Sequence, residues 1–183
     1  MYAWDMAPGL NRGFALEKML ISDRKTEKEV RDGFLGRIDF TRQIRIYGSD
    51  SDRKSAAISE SNIERIFSAV KNRVSNQSTS GLPHFRCLPM EEAKAPADTK
   101  TDNNDDAGYI VTNPPYGKRL GSPEQSEEIY RKMGALPERF PGWKLVLITD
   151  HPGFESFFNR KADSCREITN GAIQSYMFQY EKL

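Results

Sequence analysis

The chain has 183 residues, of which 37% are hydrophobic and 29% are charged, and its net charge is +1 at pH 7. This composition predicts a soluble globular protein with a real core, and the near-zero net charge excludes a global positive field as the basis of nucleic-acid binding. No apolar run is long enough to span a membrane. Cys87 and Cys165 do not make a disulfide framework, so a reducing cytoplasm is the expected location. His84 and His151 stand alone in the sequence, so we expect no metal site.

The first half of the chain predicts a helix, a strand and a second helix, in that order. A highly charged surface helix is expected over about Asp23 to Phe40. The strand Arg45 to Asp50 follows and ends in an acid. Asp50, Ser51 and Asp52 then favour the start of a helix that runs to about Val74, with apolar residues at helical spacing.

The second half predicts strands alternating with helices, followed by a hairpin. Pro83 to Leu88 favours a short strand, and Glu91 to Ala107 favours a flexible polar loop. Asn170-Gly171 is a strong hairpin-turn signal between the last two strands. This order predicts an α/β sheet with an antiparallel edge. The remaining predicted elements are a helix at about Pro123–Phe140, a strand at Lys144–Thr149, a helix at Phe154–Arg160 and strands at Ser164–Thr169 and Ala172–Tyr180.

A β-branched run ending in two prolines is the most informative stretch. Ile110, Val111 and Thr112 favour a strand, which Pro114 and Pro115 cannot continue because proline has no backbone N–H. The strand therefore stops at Asn113, at its carboxyl end. In open α/β sheets, ligands bind at that end.

The residue types at this strand end suit a planar amine. The amide oxygen of Asn113 can accept a hydrogen bond from an exocyclic amine, and the proline carbonyls are held still as further acceptors. Tyr116 offers a flat face for stacking a base, and Gly117 lets backbone approach closely. Nucleobases are the obvious substrates with such an amine. The plainer interpretation is a Pro-Pro turn after a buried strand.

The segment Asn113-Pro114-Pro115-Tyr116 resembles the signature of S-adenosylmethionine-dependent amino-methyltransferases. Similar motifs occur in adenine-N6 DNA methylases, guanine-N2 RNA methylases and the glutamine methylases of release factors. The four residues alone therefore leave the substrate open.

Four segments, in this order along the chain, together resemble one family more specifically: the methylase domain of bacterial 23S rRNA guanine-N2 methyltransferases. In that family, the domain usually follows a THUMP RNA-binding domain. The resemblance implies one partial methyltransferase domain over residues 1–183, with a Rossmann-like fold and a C-terminal antiparallel hairpin. It also implies methyl transfer from S-adenosyl-L-methionine to the exocyclic N2 of a guanine in large-subunit rRNA. The segments that carry it are Ala7–Arg12, Tyr47–Asp52, Asn113–Leu120 and Asn170-Gly171.

For the cofactor, an acid at a strand end can accept hydrogen bonds from two ribose hydroxyls, which favours Asp50 in that role. Helix capping is the plainer role for Asp50 and Asp52. Both roles can coexist, with Asp52 nearer the cap and Asp50 nearer the ribose. The resemblance adds Ser51 as a contact to the cofactor adenine.

For the substrate, the resemblance implies that Asn113, Pro114 and Tyr116 hold and orient a flipped guanine as the catalytic residues. A second group of residues would line the substrate. Its two basic side chains, Lys118 and Arg119, would contact RNA phosphates. A solvated loop is the plainer interpretation of those cations. This group is Pro115, Gly117, Lys118 and Arg119.

Two features of the family are missing from this sequence. The family's first strand leads into a Gly-rich loop, of the form Asp-Pro-x-Cys-Gly-Ser-Gly-Thr, and no such loop occurs here. That strand is central in the family, between the strands that here end at Asp50 and Asn113, so two half-sheets with unpaired edges are expected. No acid that would hold the cofactor adenine follows Phe85 before Glu91. We therefore expect an N-terminally truncated domain that binds cofactor weakly or not at all by itself.

Two alternatives stay open. The first is an adenine-N6 DNA methyltransferase, which shares the chemistry of the Asn113 motif but does not account for Ala7 to Arg12. The second is a non-catalytic remnant, or a piece that needs a separately encoded N-terminal half. An upstream N-terminal segment containing a THUMP domain is an expected partner.

Overall fold

The computed structural model describes residues 1–10, 12–42, 44–71, 82–97, 107–115, 123–170 and 173–183. The chain divides into two compact units, Met1–Pro89 and Met90–Leu183, which are described separately below as unit 1 and unit 2. The mixed α/β class is confirmed in both units. The single domain over residues 1–183 stays a prediction. None of the described helices combines the length and the apolar content needed to cross a membrane.

Unit 1 contains two parallel strands and two longer helices. Strand β1 pairs with β2 in register from Tyr47↔His84 to Asp50↔Cys87. Two 3-10 turns, Tyr2–Trp4 and Ala15–Lys18, precede the first helix. The helices and strands are α1 (Arg24–Gly36), β1 (Tyr47–Asp50), α2 (Arg53–Lys71) and β2 (His84–Cys87).

Helix α1 is shorter than the sequence predicts. Its start is fixed by Asp23, whose carboxylate accepts hydrogen bonds from the backbone N–H groups of Lys25 and Thr26. The helix ends at Gly36 and not near Phe40, because Ile38 and Phe40 turn into the core of unit 1, where they are 7% and 2% exposed. That core is Trp4, Met6, Ile38, Phe40 and Val70.

The apolar residues that recur at helical spacing in the sequence form the core-facing side of helix α2. Ile66 and Phe67 pack against the core of unit 1, and Val70 is fully buried in it. The helix is described to Lys71, so its predicted end near Val74 lies outside the described residues.

Gly48 allows β1 and β2 to pack closely. It pairs with Phe85, and a Cβ at this position would lie 2.2 Å from the Phe85 ring. Real Cβ atoms do not come this close, so glycine is required by the ring that covers it.

Unit 2 contains a four-stranded sheet with helices packed on it. The strand order is β3-β4-β6-β5, with β3 and β4 parallel and the other two pairs antiparallel. The predicted C-terminal hairpin is confirmed, while residues 171–172 of its turn lie outside the described residues. The elements are β3 (Tyr109–Thr112), α3 (Pro123–Met133), α4 (Leu136–Arg139), β4 (Lys144–Thr149), α5 (Phe154–Phe158), β5 (Ser164–Asn170) and β6 (Ile173–Tyr180).

The single helix predicted from Pro123 to Phe140 is wrong, because the chain breaks into α3 and α4 at Gly134 and Ala135. Pro137 lies in the first turn of α4, where its missing N–H costs nothing, whereas inside a continuous helix it would remove a hydrogen bond. The two short helices therefore satisfy the backbone better than one long helix.

The flexible loop predicted from Glu91 is also wrong at its beginning. Met90–Glu92 forms a 3-10 turn, and the guanidinium of Arg139 donates to the backbone oxygens of Met90 and Ala93, the latter at 3.2 Å. The Ala95 N–H donates to the Arg139 carbonyl at 3.2 Å. Residues 98–106 of the predicted loop lie outside the described residues.

The core of unit 2 lies on one face of its sheet. Alternate residues of β4 are buried, so Leu145 and Leu147 point into the core together with Phe178 of β6. Residues of α3, α4 and α5, together with Phe140 after α4, Tyr180 of β6 and the C-terminal Leu183, complete this apolar cluster. The helical members are Tyr130, Met133, Leu136, Phe154 and Phe158.

In each sheet, one of the edge strands leads into residues predicted to form the site. Within the described ranges, β1 pairs only with β2, and β3 pairs only with β4. The division into two sheets is therefore confirmed, and among the described strands neither β1 nor β3 has a partner on its other side. Tyr109 and Val111 of β3 are 62% and 76% exposed, so one face of this strand is uncovered as well.

We expect Gly48→Ala to lower the free energy of unfolding by about 1–3 kcal/mol, because the new methyl group must displace the Phe85 ring. Gly33→Ala is the matched control, since nothing lies within 4 Å of its added Cβ in the exposed helix α1. This control should raise stability by about 0.5–1 kcal/mol. Urea unfolding of both variants measures the difference, and an equal effect at both sites would contradict the packing of β1 on β2.

Candidate active site

The Asn113 motif leaves the sheet at the carboxyl end of β3, as predicted. The last paired position of this strand is Thr112, opposite Leu147 of β4. Pro114 is buried, while Asn113 and Pro115 on either side of it are exposed. The buried proline anchors the turn, and the exposed Asn113 is accessible to a ligand. Tyr116, Gly117, Lys118 and Arg119 lie outside the described residues.

A buried hydrogen bond fixes the neighbouring end of β4. The Tyr130 hydroxyl of α3 lies 2.8 Å from the Thr149 hydroxyl, and both side chains are fully buried. The Thr149 oxygen also accepts from the His151 backbone N–H at 3.1 Å. Helix α3 is thus bonded to the strand that pairs with β3.

His151 extends this contact toward the surface. Its Nδ1 accepts from the Gly153 backbone N–H at 3.1 Å, which places the proton of the neutral ring on Nε2. Nε2 lies 3.8 Å from a carboxylate oxygen of Glu127 on α3, and Arg131 contacts the other oxygen at 3.3 Å. Strand β4 therefore holds both β3 and α3, the elements on either side of residues 116–122.

Sequence reasoning missed this cluster. In the sequence, His151 stands alone and no partner for it is predicted. A usable signal was present, since Thr149 is a polar residue at the end of an apolar strand and is followed within two residues by a histidine. The partners on α3 carried no such signal, because their approach depends on tertiary packing.

The cofactor candidates lie in unit 1, at the carboxyl end of β1. The exposed Asp50 carboxylate accepts from the Asp52 backbone N–H at 2.8 Å. The Asp50 carbonyl accepts from the Leu88 N–H at 2.9 Å, and the Cys87 thiol donates to the Ser51 carbonyl at 3.7 Å. Backbone bonds thus hold this turn while the acid remains open to solvent.

Asp52 caps helix α2, as expected. Its carboxylate accepts from the Ser55 backbone N–H at 2.9 Å and from the Ser55 hydroxyl at 2.8 Å. These hydrogen bonds, the hydroxyl foremost, lower the pKa of the Asp52 carboxyl below its ordinary value. Because Asp52 is engaged in the cap, Asp50 is the acid of this turn that suits a ligand.

The two sets of candidates are therefore on different sheets. Asn113, Pro114 and Pro115 share the end of β3, and Asp50 and Ser51 share the end of β1. Among the described residues, no group of three His, Cys, Asp or Glu side chains is placed to hold a metal ion.

Comparison with known proteins places the chain among methyltransferases. The family model for the RMKL-like methyltransferase domain matches residues 1–179. The ribosomal RNA large subunit methyltransferase K/L of Shewanella woodyi is 32% identical over 95% of this chain and 22% of its own length. The chain spans 41% and 22% of the lengths of the first two curated relatives that it matches.

Solved structures agree in fold. SMU.472, a methyltransferase by description and complexed with SAH, has a TM-score of 0.76 and 25% identity over 98% of this chain and 43% of its own. A chain from Listeria monocytogenes, described as a predicted N6-adenine-specific DNA methylase, has a TM-score of 0.72 and 25% identity over 97% of this chain and 40% of its own. These likenesses confirm the Rossmann-like methyltransferase fold. The chain belongs to the RMKL-like methyltransferase domain family.

Proposed function

We propose that this methyltransferase domain transfers a methyl group to the exocyclic N2 of a guanine in large-subunit rRNA. The observation that carries the proposal is Asn113, exposed beside the buried Pro114 at the carboxyl end of β3. The similarity to a relative named as a ribosomal RNA large subunit methyltransferase supports rRNA as the substrate.

The cofactor is S-adenosyl-L-methionine, which supplies a methyl group on a cationic sulfur. Asp50 fits its nucleoside part, since an exposed carboxylate at the end of a parallel strand can accept from two ribose hydroxyls. Ser51, next to it, is our candidate for the adenine contact. Complexation of SMU.472 with SAH supports this cofactor.

The chain contributes positioning more than acid–base chemistry. The amide oxygen of Asn113 and the carbonyl of Pro114 would accept hydrogen bonds from the two N–H groups of the guanine amine, which would leave the nitrogen lone pair free for in-line attack on the methyl carbon. The N–C bond would form as the methyl carbon–sulfur bond breaks, with S-adenosylhomocysteine as the leaving group and one amine proton lost to solvent. Tyr116 stacks on the flipped base. A fixed pair of acceptors therefore both activates and orients the nucleophile.

Further residues are proposed to contact the RNA around the reacting amine. Pro115 and Gly117 line the base, with Gly117 allowing close backbone approach. Lys118 and Arg119 contact phosphates. An upstream THUMP-containing segment, the domain that precedes this one in the family it resembles, is the proposed partner for RNA capture.

A second candidate is adenine-N6 methylation of DNA. It is favoured by the likeness to the Listeria chain described as a DNA methylase, and it uses the same amine chemistry. The two functions differ in nucleic acid and in the position of the methyl group, so the product distinguishes them.

We infer that the chain alone binds S-adenosyl-L-methionine weakly, because its sequence has no Gly-rich loop and β1 and β3 each pair on one side among the described strands. Isothermal titration should show micromolar binding only after a segment with one strand and a Gly-rich loop is fused ahead of Met1. Micromolar binding by the unfused chain would refute the inference.

In the fused protein, Asp50→Asn should weaken cofactor binding by about tenfold, because a carboxylate is lost from the ribose site. Asp52→Asn is the matched control, since asparagine also caps helices and the ribose role is not assigned to this position. Equal loss in both variants would instead indicate damage to the turn.

In the fused protein with unmodified 23S rRNA, we expect N2-methylguanine as the product, measured by nucleoside mass spectrometry. Asn113→Ala should lower the rate of methyl transfer by about 100-fold, because it removes an acceptor that acts on the reacting amine. The exposed Asn62 of α2 gives a matched control, Asn62→Ala, which should retain full activity. N6-methyladenine formed in DNA, with no product in rRNA, would overturn the proposal in favour of the second candidate.

A further inference from the structure

A pair of buried hydroxyl groups joins helix α3 to the end of β4. The Tyr130 and Thr149 oxygens lie 2.8 Å apart, and neither side chain is exposed. The surroundings are apolar, since Tyr130 belongs to the core of unit 2 and its ring packs edge-on against Phe154, with the ring centroids 5.0 Å apart. The Thr149 oxygen also accepts from the His151 N–H at 3.1 Å, so its hydrogen bonds are made within the protein.

This hydrogen bond contributes more to position than to stability. A phenylalanine and a valine at these two places would fill the same space, and replacing both partners of a buried hydrogen bond by apolar groups of the same shape is nearly neutral. Apolar packing is non-directional, whereas a hydrogen bond weakens steeply when its distance or angle changes. The hydroxyl pair therefore fixes the rotation of α3 about its axis and its position along β4.

A second set of contacts, nearer the surface, favours the same orientation of α3. Glu127, one turn before Tyr130, has a carboxylate oxygen 3.8 Å from Nε2 of His151. The His151 ring packs edge-on against Phe157 of α5 at 5.3 Å, and the guanidinium carbon of Arg131 lies 4.9 Å from the centroid of that same Phe157 ring. Residues three and four apart share one face of a helix, so these contacts and the hydroxyl pair fix the same rotation.

The same strand also sets the place of Asn113. Thr112, the residue before it, pairs with Leu147 of β4. Thr149 is two residues further along β4, a distance of about 7 Å. Helix α3 is therefore attached close to the level at which Asn113 leaves the sheet.

The connection from β3 to α3 thus has both of its ends held by β4. It leaves β3 after Thr112 and enters α3 at Pro123, and Tyr130 lies seven residues, or about 10 Å, into that helix. Fixing both ends of a connection restricts the conformations open to the chain between them. Asn113 lies in this connection, so a shift of α3 would act on it through the chain.

We propose that Tyr130 and Thr149 are positioning residues for methyl transfer, whose hydrogen bond keeps Asn113 where it meets the substrate amine. Both side chains are fully buried, so they act through the chain and not on the substrate. This inference rests on the proposed function, because it explains how the Asn113 acceptor is held still. A misplacement of about 1 Å can cost about 100-fold in rate, so a directional contact is a better support than apolar packing alone.

The first test uses the isotope-labelled full chain and follows the side-chain amide of Asn113 by nuclear magnetic resonance, with its signal assigned by its loss in Asn113→Ala. Thr149→Val keeps the shape of the side chain and removes the hydroxyl, whereas Thr149→Ser keeps the hydroxyl. We expect the Asn113 signal to shift or split in Thr149→Val and to stay in place in Thr149→Ser. An equal change in both variants would contradict the role of the hydrogen bond.

The double variant Tyr130→Phe/Thr149→Val separates position from stability. Urea unfolding should give a midpoint close to that of the unmodified chain, because both hydroxyls are lost together and the part-buried His151 N–H can bond to water. The change in the Asn113 signal should persist in this variant. An Asn113 signal at its original place in the folded double variant would overturn the proposal.

In the fused protein, the double variant should lower kcat by about tenfold and leave the KM for S-adenosyl-L-methionine unchanged, because the proposed cofactor residues lie at the end of β1. Thr149→Ser should retain the rate of the unmodified protein. A raised KM with an unchanged kcat would contradict a positioning role. Failure of the unmodified fused protein to methylate rRNA would count against the proposed function, and the Asn113 signal would then decide this inference by itself.

Discussion

Pro114 and Pro115 impose the constraint on which the candidate site depends. Neither residue has a backbone N–H to donate to a sheet, so β3 ends at Thr112 and the chain turns out of the sheet at its carboxyl end. Pro114 is buried and anchors that turn, which leaves Asn113 exposed. Strand β4 then holds the flanking helix through the Tyr130–Thr149 hydrogen bond. The two missing donors and the Tyr130–Thr149 hydrogen bond thus fix the surroundings of the exposed Asn113.

A similar arrangement occurs at β1, where the acids divide their roles. Asp52 is engaged by Ser55 as the cap of α2, and the exposed Asp50 is the acid suited to a ligand. The cofactor and substrate candidates belong to two sheets, and in the described residues both sheets stop at an open strand edge. Our proposal that cofactor binding needs an added strand and loop follows from these edges, because unpaired backbone groups at a strand edge are ready to pair with another strand.

Local chemistry explains which features the sequence predicts well. The β-branched residues before the prolines and the Asn170-Gly171 signal correctly predict β3 and the β5–β6 hairpin. Tertiary contacts explain the failures. Helix α1 ends early because Ile38 and Phe40 enter the core, and Met90–Glu92 is ordered by Arg139 from a distant part of the chain. The Glu127–His151 contact has the same origin, since no local pattern shows that α3 meets the end of β4.

The most direct test of the central claim is hydrogen–deuterium exchange across β3, measured with and without the fused strand and Gly-rich loop. The account predicts that β3 amides facing away from β4 become protected in the fused protein, while the outer edge of β5 exchanges as before. Unchanged exchange in β3, in a fused protein that binds S-adenosyl-L-methionine, would contradict the claim that the site is completed by pairing at this edge.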